Sequence, residues 1–142
     1  MKRNLSILLM LMFLLIPGCH GNNPQGRITI NGEVTLDGAP LTDGSVEFAS
    51  QPGNSPSITT GAPVKNGKFS IPAAQGLMAG QTYSVKFRAI VEVPETKVDT
   101  GAPMTSKVET RDLIPPKYGS QSKETLTVEK GKKHYTFNLT TD

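Results

Sequence analysis

Among 142 residues there is one cysteine, no tryptophan and only two histidines. A lone cysteine cannot close a disulfide within the chain, so the fold must be held by its core. Neither a thiol–disulfide couple nor a zinc–thiolate cage is available. His20 and His134 sit near opposite ends of the chain, far from the close spacing that grips a metal. No Gly-x-Ser-x-Gly elbow and no glycine-rich phosphate loop leading into a helix is present. The one long apolar run, Leu5 to Ile16, broken only by Ser6, would rise about 18 Å as a helix, short of the roughly 30 Å hydrocarbon core. Neither charge sign dominates, with 15 basic against 12 acidic side chains. The densest basic cluster, Lys130, Lys132 and Lys133 around Gly131, reads as a solvated turn, so no nucleic-acid partner is expected.

What the first nineteen residues do have is order: Lys2 and Arg3, then the apolar run, then Pro17-Gly18-Cys19. Positive charge before a run too short to span reads as a cleaved export signal. The segment resembles a bacterial lipoprotein signal peptide, whose cysteine box is matched by Ile16, Gly18 and Cys19 and departed from at Pro17. That resemblance implies removal of residues 1–18, a palmitate-bearing lipid on Cys19, and the membrane as a partner through that lipid. It places the protein in the bacterial cell envelope, with the outer membrane as default because His20-Gly21 supplies no acidic retention residue. An ordinary signal cleaved nearby, giving a secreted or periplasmic protein, is the alternative. Residues 19–26 form a polar, flexible tether, and loss of Lys2 and Arg3 lowers the formal charge from +3 to +1.

The remainder, residues 27–142, has one domain's length. Gly and Pro, 14 and 11 residues, fall between alternating apolar segments, the pattern of turns in an all-β protein. Ile28, Ile30, Gly32, Val34 and Leu36 share one face of a strand expected to bend or bulge at Gly32. Asp37-Gly38 and Asp43-Gly44 read as turns, with Val46 and Phe48 continuing the apolar face after them. Residues 50–63 read as a loop with a short edge strand at Ile58 to Thr60. Asn66-Gly67 predicts a hairpin joining a strand at Pro63 to Lys65 with one at Lys68 to Ile71. After Pro72, residues 73–80 form a connection with room for a helical turn. Thr82 to Val91 is the longest strand, with Tyr83, Val85, Phe87, Ala89 and Val91 inward and Ser84, Lys86, Arg88 and Ile90 outward, Lys86 and Arg88 forming a solvated face. Residues 94–122 read as a long loop, and Leu126 and Val128 pair with Tyr135, Phe137 and Leu139 in a final hairpin around Gly131. About seven such strands predict a single antiparallel β-sandwich.

Several of these segments carry a family resemblance. Gly32-Glu-Val-Thr-Leu-Asp-Gly-Ala-Pro-Leu-Thr-Asp-Gly-Ser-Val-Glu-Phe48, Lys65-Asn-Gly-Lys-Phe-Ser-Ile71 and Gly80-Gln-Thr-Tyr-Ser-Val-Lys-Phe87 resemble successive strands of the carboxypeptidase regulatory-like, or transthyretin-like (prealbumin-like), domain. Ile114-Pro-Pro-Lys-Tyr118 and the pairs near Leu126 and Phe137 are similar to the ending of small bacterial lipoproteins of that type. The resemblance implies a non-catalytic module without a cofactor. The family's hydrolase of 5-hydroxyisourate ends in Tyr-Arg-Gly-Ser and uses cleft histidines; this chain ends Asn138-Leu-Thr-Thr-Asp142 and has only His134 in its folded part.

The expected function is therefore a lipid-anchored β-sandwich of the cell envelope, not an enzyme, with a structural or partner-binding role toward an unidentified protein or polysaccharide. The alternative is a carbohydrate- or peptide-binding module using residues 94–119, with Lys117 and Tyr118 as its candidate ligand-binding residues. Asp37, Asp43 and Asp112 are expected as turn residues rather than calcium ligands, and no metal site is expected.

Overall fold

In the computed structural model, residues 26–93 and 109–142 are described, and they form an all-β sandwich. Residues 1–25, which hold the expected signal peptide and most of the expected tether, and residues 94–108 lie outside the described residues. The strands are β1 (Arg27–Ile28), β2 (Ile30–Leu36), β3 (Ala39–Pro40), β4 (Asp43–Ser50), β5 (Thr59–Lys65) and β6 (Lys68–Ile71). A single 3-10 turn at Ala73–Gln75 precedes β7 (Leu77–Met78), β8 (Thr82–Arg88), β9 (Ile90–Val93), β10 (Glu109–Asp112), β11 (Thr125–Thr127) and β12 (His134–Leu139).

The main sheet runs β11-β8-β4-β5-β6-β2-β12, with β3 attached to β2. It folds over at the β5–β6 hairpin, whose only strand pair is Lys65 with Lys68, giving layers β11-β8-β4-β5 and β6-β2-β12. Aromatic rings fill the space between them. Phe48 of β4 lies 6.0 Å from Phe69 of β6, and Phe87 of β8 meets Phe137 of β12 edge-on at 5.2 Å. Around them Ile30, Val34, Val46, Val64, Ile71, Tyr83 and Val85 are buried, each supplied by the inward half of an alternating strand.

Local signals set the turns. Asp37 and Gly38 (φ 51° and 80°) close the β2–β3 hairpin, and Asn66 and Gly67 (φ 49° and 75°) close β5–β6, the left-handed pairs that two-residue hairpins require. Gly32 serves differently from the expected bulge. The β2 ladders run unbroken through it, pairing it with Phe69 and Tyr135, and a Cβ there would sit 2.4 Å from the Phe69 ring and 2.6 Å from the Tyr135 carbonyl oxygen. Close approach of ring and backbone, not a bulge, demands glycine.

Four expectations are corrected. Asp43-Gly44 is not a turn but the start of β4, where Asp43 pairs with Lys65 and forms an ion pair with it. The short edge strand and the pre-hairpin strand are one element, β5, pairing with β4 from Thr59 to Lys65. Its proline, Pro63, sits where the flank toward β6 is unpaired, a position proline tolerates. The final hairpin does not form: β11 pairs with β8, whereas β12 crosses to the other layer and runs parallel to β2. The Gly131 turn is therefore a link between layers, set by where the two apolar faces find cover rather than by sequence proximity. The strand from Thr82 breaks at Ala89, leaving Val91 37% exposed on the β9–β10 ribbon.

Candidate functional site

The described part of the expected 94–122 loop is β10 followed by a hydrogen-bonded turn, and Asp112 explains how that turn is held. Its carboxylate accepts hydrogen bonds from the Ala89 N–H (2.9 Å) and the Ile114 N–H (3.0 Å), bridging the break after β8 and the exit from β10. Residues 114–124 then run along the edge of β8. The Phe87 N–H donates to the Tyr118 carbonyl (2.9 Å), the Val85 N–H to the Glu124 carbonyl (2.9 Å), and the Ser122 hydroxyl to the Val85 carbonyl (2.6 Å). An irregular turn thus closes an edge that β11 covers only as far as Ser84.

The two residues singled out as ligand-binding lie on this turn. Tyr118 is half-buried against the core, its hydroxyl 3.4 Å from Thr140 Oγ1. Lys117 extends to the same Thr140 hydroxyl (3.4 Å), with its ammonium 5.2 Å from the Tyr118 ring centre. The pair therefore braces the C-terminal residues against the turn. Next to it, Thr141 donates from its N–H (2.9 Å) and its hydroxyl (2.8 Å) to Asp37. These bonds, the backbone one foremost, hold the exposed Asp37 carboxyl below its ordinary value.

Asp37, Asp43 and Asp112 engage Thr141, Lys65 and backbone amides respectively, and they do not converge. Among the described residues no group of three His, Cys, Asp or Glu side chains could hold a metal ion. His134 is exposed at the start of β12, opposite Asn31 of β2. The two buried phenols are tied to local backbone: Tyr83 accepts from the Met78 N–H (3.0 Å) and donates to Gln81 (2.9 Å), and Tyr135 accepts from the Glu129 N–H (3.1 Å). Cys19 lies outside the described residues.

Sequence periodicity places Lys86 and Arg88 on a solvated face, but it does not reveal their surroundings. The returning turn stands as a wall beside them, leaving a groove of about 450 Å³ between Ser45, Glu47, Lys86 and Arg88 on the strands and Pro116, Gly119 and Ser120 on the turn. The only hint in the sequence was the Pro115-Pro116 and Tyr118-Gly119 turn chemistry, which gives no direction.

No protein-family model matches the chain, and no curated protein matches it. Among solved structures it is similar to a 9R-lipoxygenase from Cyanothece, with 18% identity and a TM-score of 0.35. The match covers 81% of this chain but 16% of that one, and a likeness so slight carries nothing about activity.

Proposed function

We propose that this protein is a lipid-anchored β-sandwich of the bacterial cell envelope that acts by holding or binding a partner rather than by catalysis. The observation that carries the reading is the order of residues 1–19, with Lys2 and Arg3, a twelve-residue apolar run and the chain's one cysteine after Gly18. Kinship with transthyretin-like domains, suggested by the glycine, proline and aromatic spacing from Gly32 to Phe87, is part of the same proposal. Two further observations support a binding role. Asp37, Asp112, Tyr83 and Tyr135 are each engaged in holding strand ends, turns or the C-terminal residues. The irregular turn after β10 meanwhile shapes a groove on the outer surface that Glu47, Lys86 and Arg88 line.

The anchor is tested by growing cells that express the chain with labelled palmitate. Label should enter the wild-type protein and be absent from Cys19→Ala, which should also leave the membrane fraction. Equal membrane retention of Cys19→Ala, or no label in the wild type, would refute the anchored reading.

A further inference from the structure

The groove beside Lys86 and Arg88 continues across the sheet. A second depression of about 480 Å³ is lined by Thr59, Thr60, Gly61 and Pro63 of β5 and shares Ser45 and Glu47 with the first. Strand register explains the continuity. Glu47 stands directly between Gly61 and Lys86, and Ser45 between Pro63 and Arg88, so two adjacent rows cross β5, β4 and β8 on their outer face. The β5 end is low because Gly61 has no side chain, and the β8 end is walled by the turn. Three strands at about 4.8 Å spacing make a trough on the order of 10 Å long before the wall is counted.

Asp112 also lines the groove, its Oδ1 taken by the Ala89 and Ile114 amides, whereas the charges of Glu47, Lys86 and Arg88 are unspent. The ion pairs among the described residues are Lys65–Asp43 and Lys132–Glu129, and neither involves Glu47, Lys86 or Arg88. Lys86 and Arg88, two residues apart on one strand face, are spaced about 7 Å along it and can converge on one carboxylate, Arg88 with its planar fork. Glu47, one strand over, has a carboxylate able to accept hydrogen bonds from hydroxyls, and Ser45 and Ser120 add hydroxyls of their own. Both flanks of β4 are paired, and β8 is flanked by β4, β11 and the turn, so an extended peptide finds little open ladder to join at this end. Recognition must come from side chains. The carboxylate of Glu47 also opposes a uniformly charged polyanion.

We infer that this trough binds a short segment of acidic polysaccharide in which a ring carboxylate alternates with neutral, hydroxyl-bearing sugar. Lys86 and Arg88 take the carboxylate while Glu47 and Ser45 take the hydroxyls of the neighbouring sugar. The inference deepens the partner-binding part of the proposed function and is independent of the lipid on Cys19, so the palmitate experiment and the binding experiment fail separately.

The test is calorimetry of the full-length chain in detergent with hyaluronan oligosaccharides, whose carboxylate falls on every second sugar. Dextran serves as neutral control and poly-glutamate as uniformly charged control. Arg88→Ala and Lys86→Ala should each weaken hyaluronan binding about tenfold or more, the loss expected for a charged hydrogen bond. Glu47→Gln should weaken it less, and Lys68→Ala, on β6 of the other layer, should leave it unchanged. Because these side chains are exposed, the variants should keep the wild-type melting midpoint. Absence of hyaluronan binding, equally tight binding of poly-glutamate or dextran, or an equal loss on Lys68→Ala would overturn the inference.

Discussion

Gly32→Ala is the most demanding test of how the two layers meet. The added methyl would lie 2.4 Å and 2.5 Å from two carbons of the Phe69 ring and 2.6 Å from the Tyr135 carbonyl oxygen, all well inside contact distance. The oxygen belongs to the backbone of β12, held by six residue pairs to β2, so it cannot yield alone. The ring is confined too, with Phe48 and Phe137 at 6.0 and 6.2 Å. Overpacking of this kind costs about 3 kcal/mol where neighbours cannot move. A buried methyl and a stiffer unfolded chain return about 1 kcal/mol. The net loss is about 2 kcal/mol, which for a domain of this size lowers the melting midpoint by roughly 10 °C. Thermal unfolding by circular dichroism measures it, and Phe69→Leu in the same chain should recover part of the loss by removing the ring. A neutral or stabilising Gly32→Ala, or no coupling between the two substitutions, would refute the close-packing account.

The hinge between β8 and β10 gives a second prediction. Asp112→Ala leaves the Ala89 and Ile114 amides without their acceptor and should cost about 1–3 kcal/mol, whereas Asp112→Asn, which keeps an acceptor oxygen, should cost less; hydrogen exchange at those two amides would show it. The third concerns acid. Because the two bonds from Thr141 lower the folded-state pKa of Asp37 below 3.8, their stabilisation is present above the unfolded value and is lost as pH falls through the folded one. Carbon-detected titration should find Asp37 ionised below the ordinary range in the wild type and shifted upward in Thr141→Ala, and an unchanged titration would refute the assignment.

Legibility in the sequence followed locality. Asn66-Gly67 and the alternation from Tyr83 to Ala89 were readable because a two-residue turn and a period of two are decided by neighbours in the chain. Asp43-Gly44 misled because the same dipeptide serves a turn and a strand start, and only its partner Lys65, across the sheet, distinguishes them. The destination of β12 was equally hidden. Tyr135, Phe137 and Leu139 announce an inward face but not which layer receives it, and a parallel pairing with β2 leaves no mark on either segment. For the trough, both cations were visible as outward residues of β8. Their shared wall was not, because it depends on Asp112 turning the chain back along an edge already distant in sequence.

That turn also relates the two halves of the proposed role. The chain enters the domain through β1, which pairs with β7 immediately before the start of β8 at Thr82. Lys86 and Arg88 lie four and six residues along the same strand, about 13 and 20 Å from its beginning. On the proposed anchored reading, a face placed well along β8 would meet a polymer lying outside the bilayer, while a face at the β1 end would compete with headgroups. Closing the β8 edge with residues 114–124 instead of a full-length β11 accomplishes both tasks at once. It removes an exposed edge that would invite strand addition, and it raises the wall that turns two outward cations into a groove.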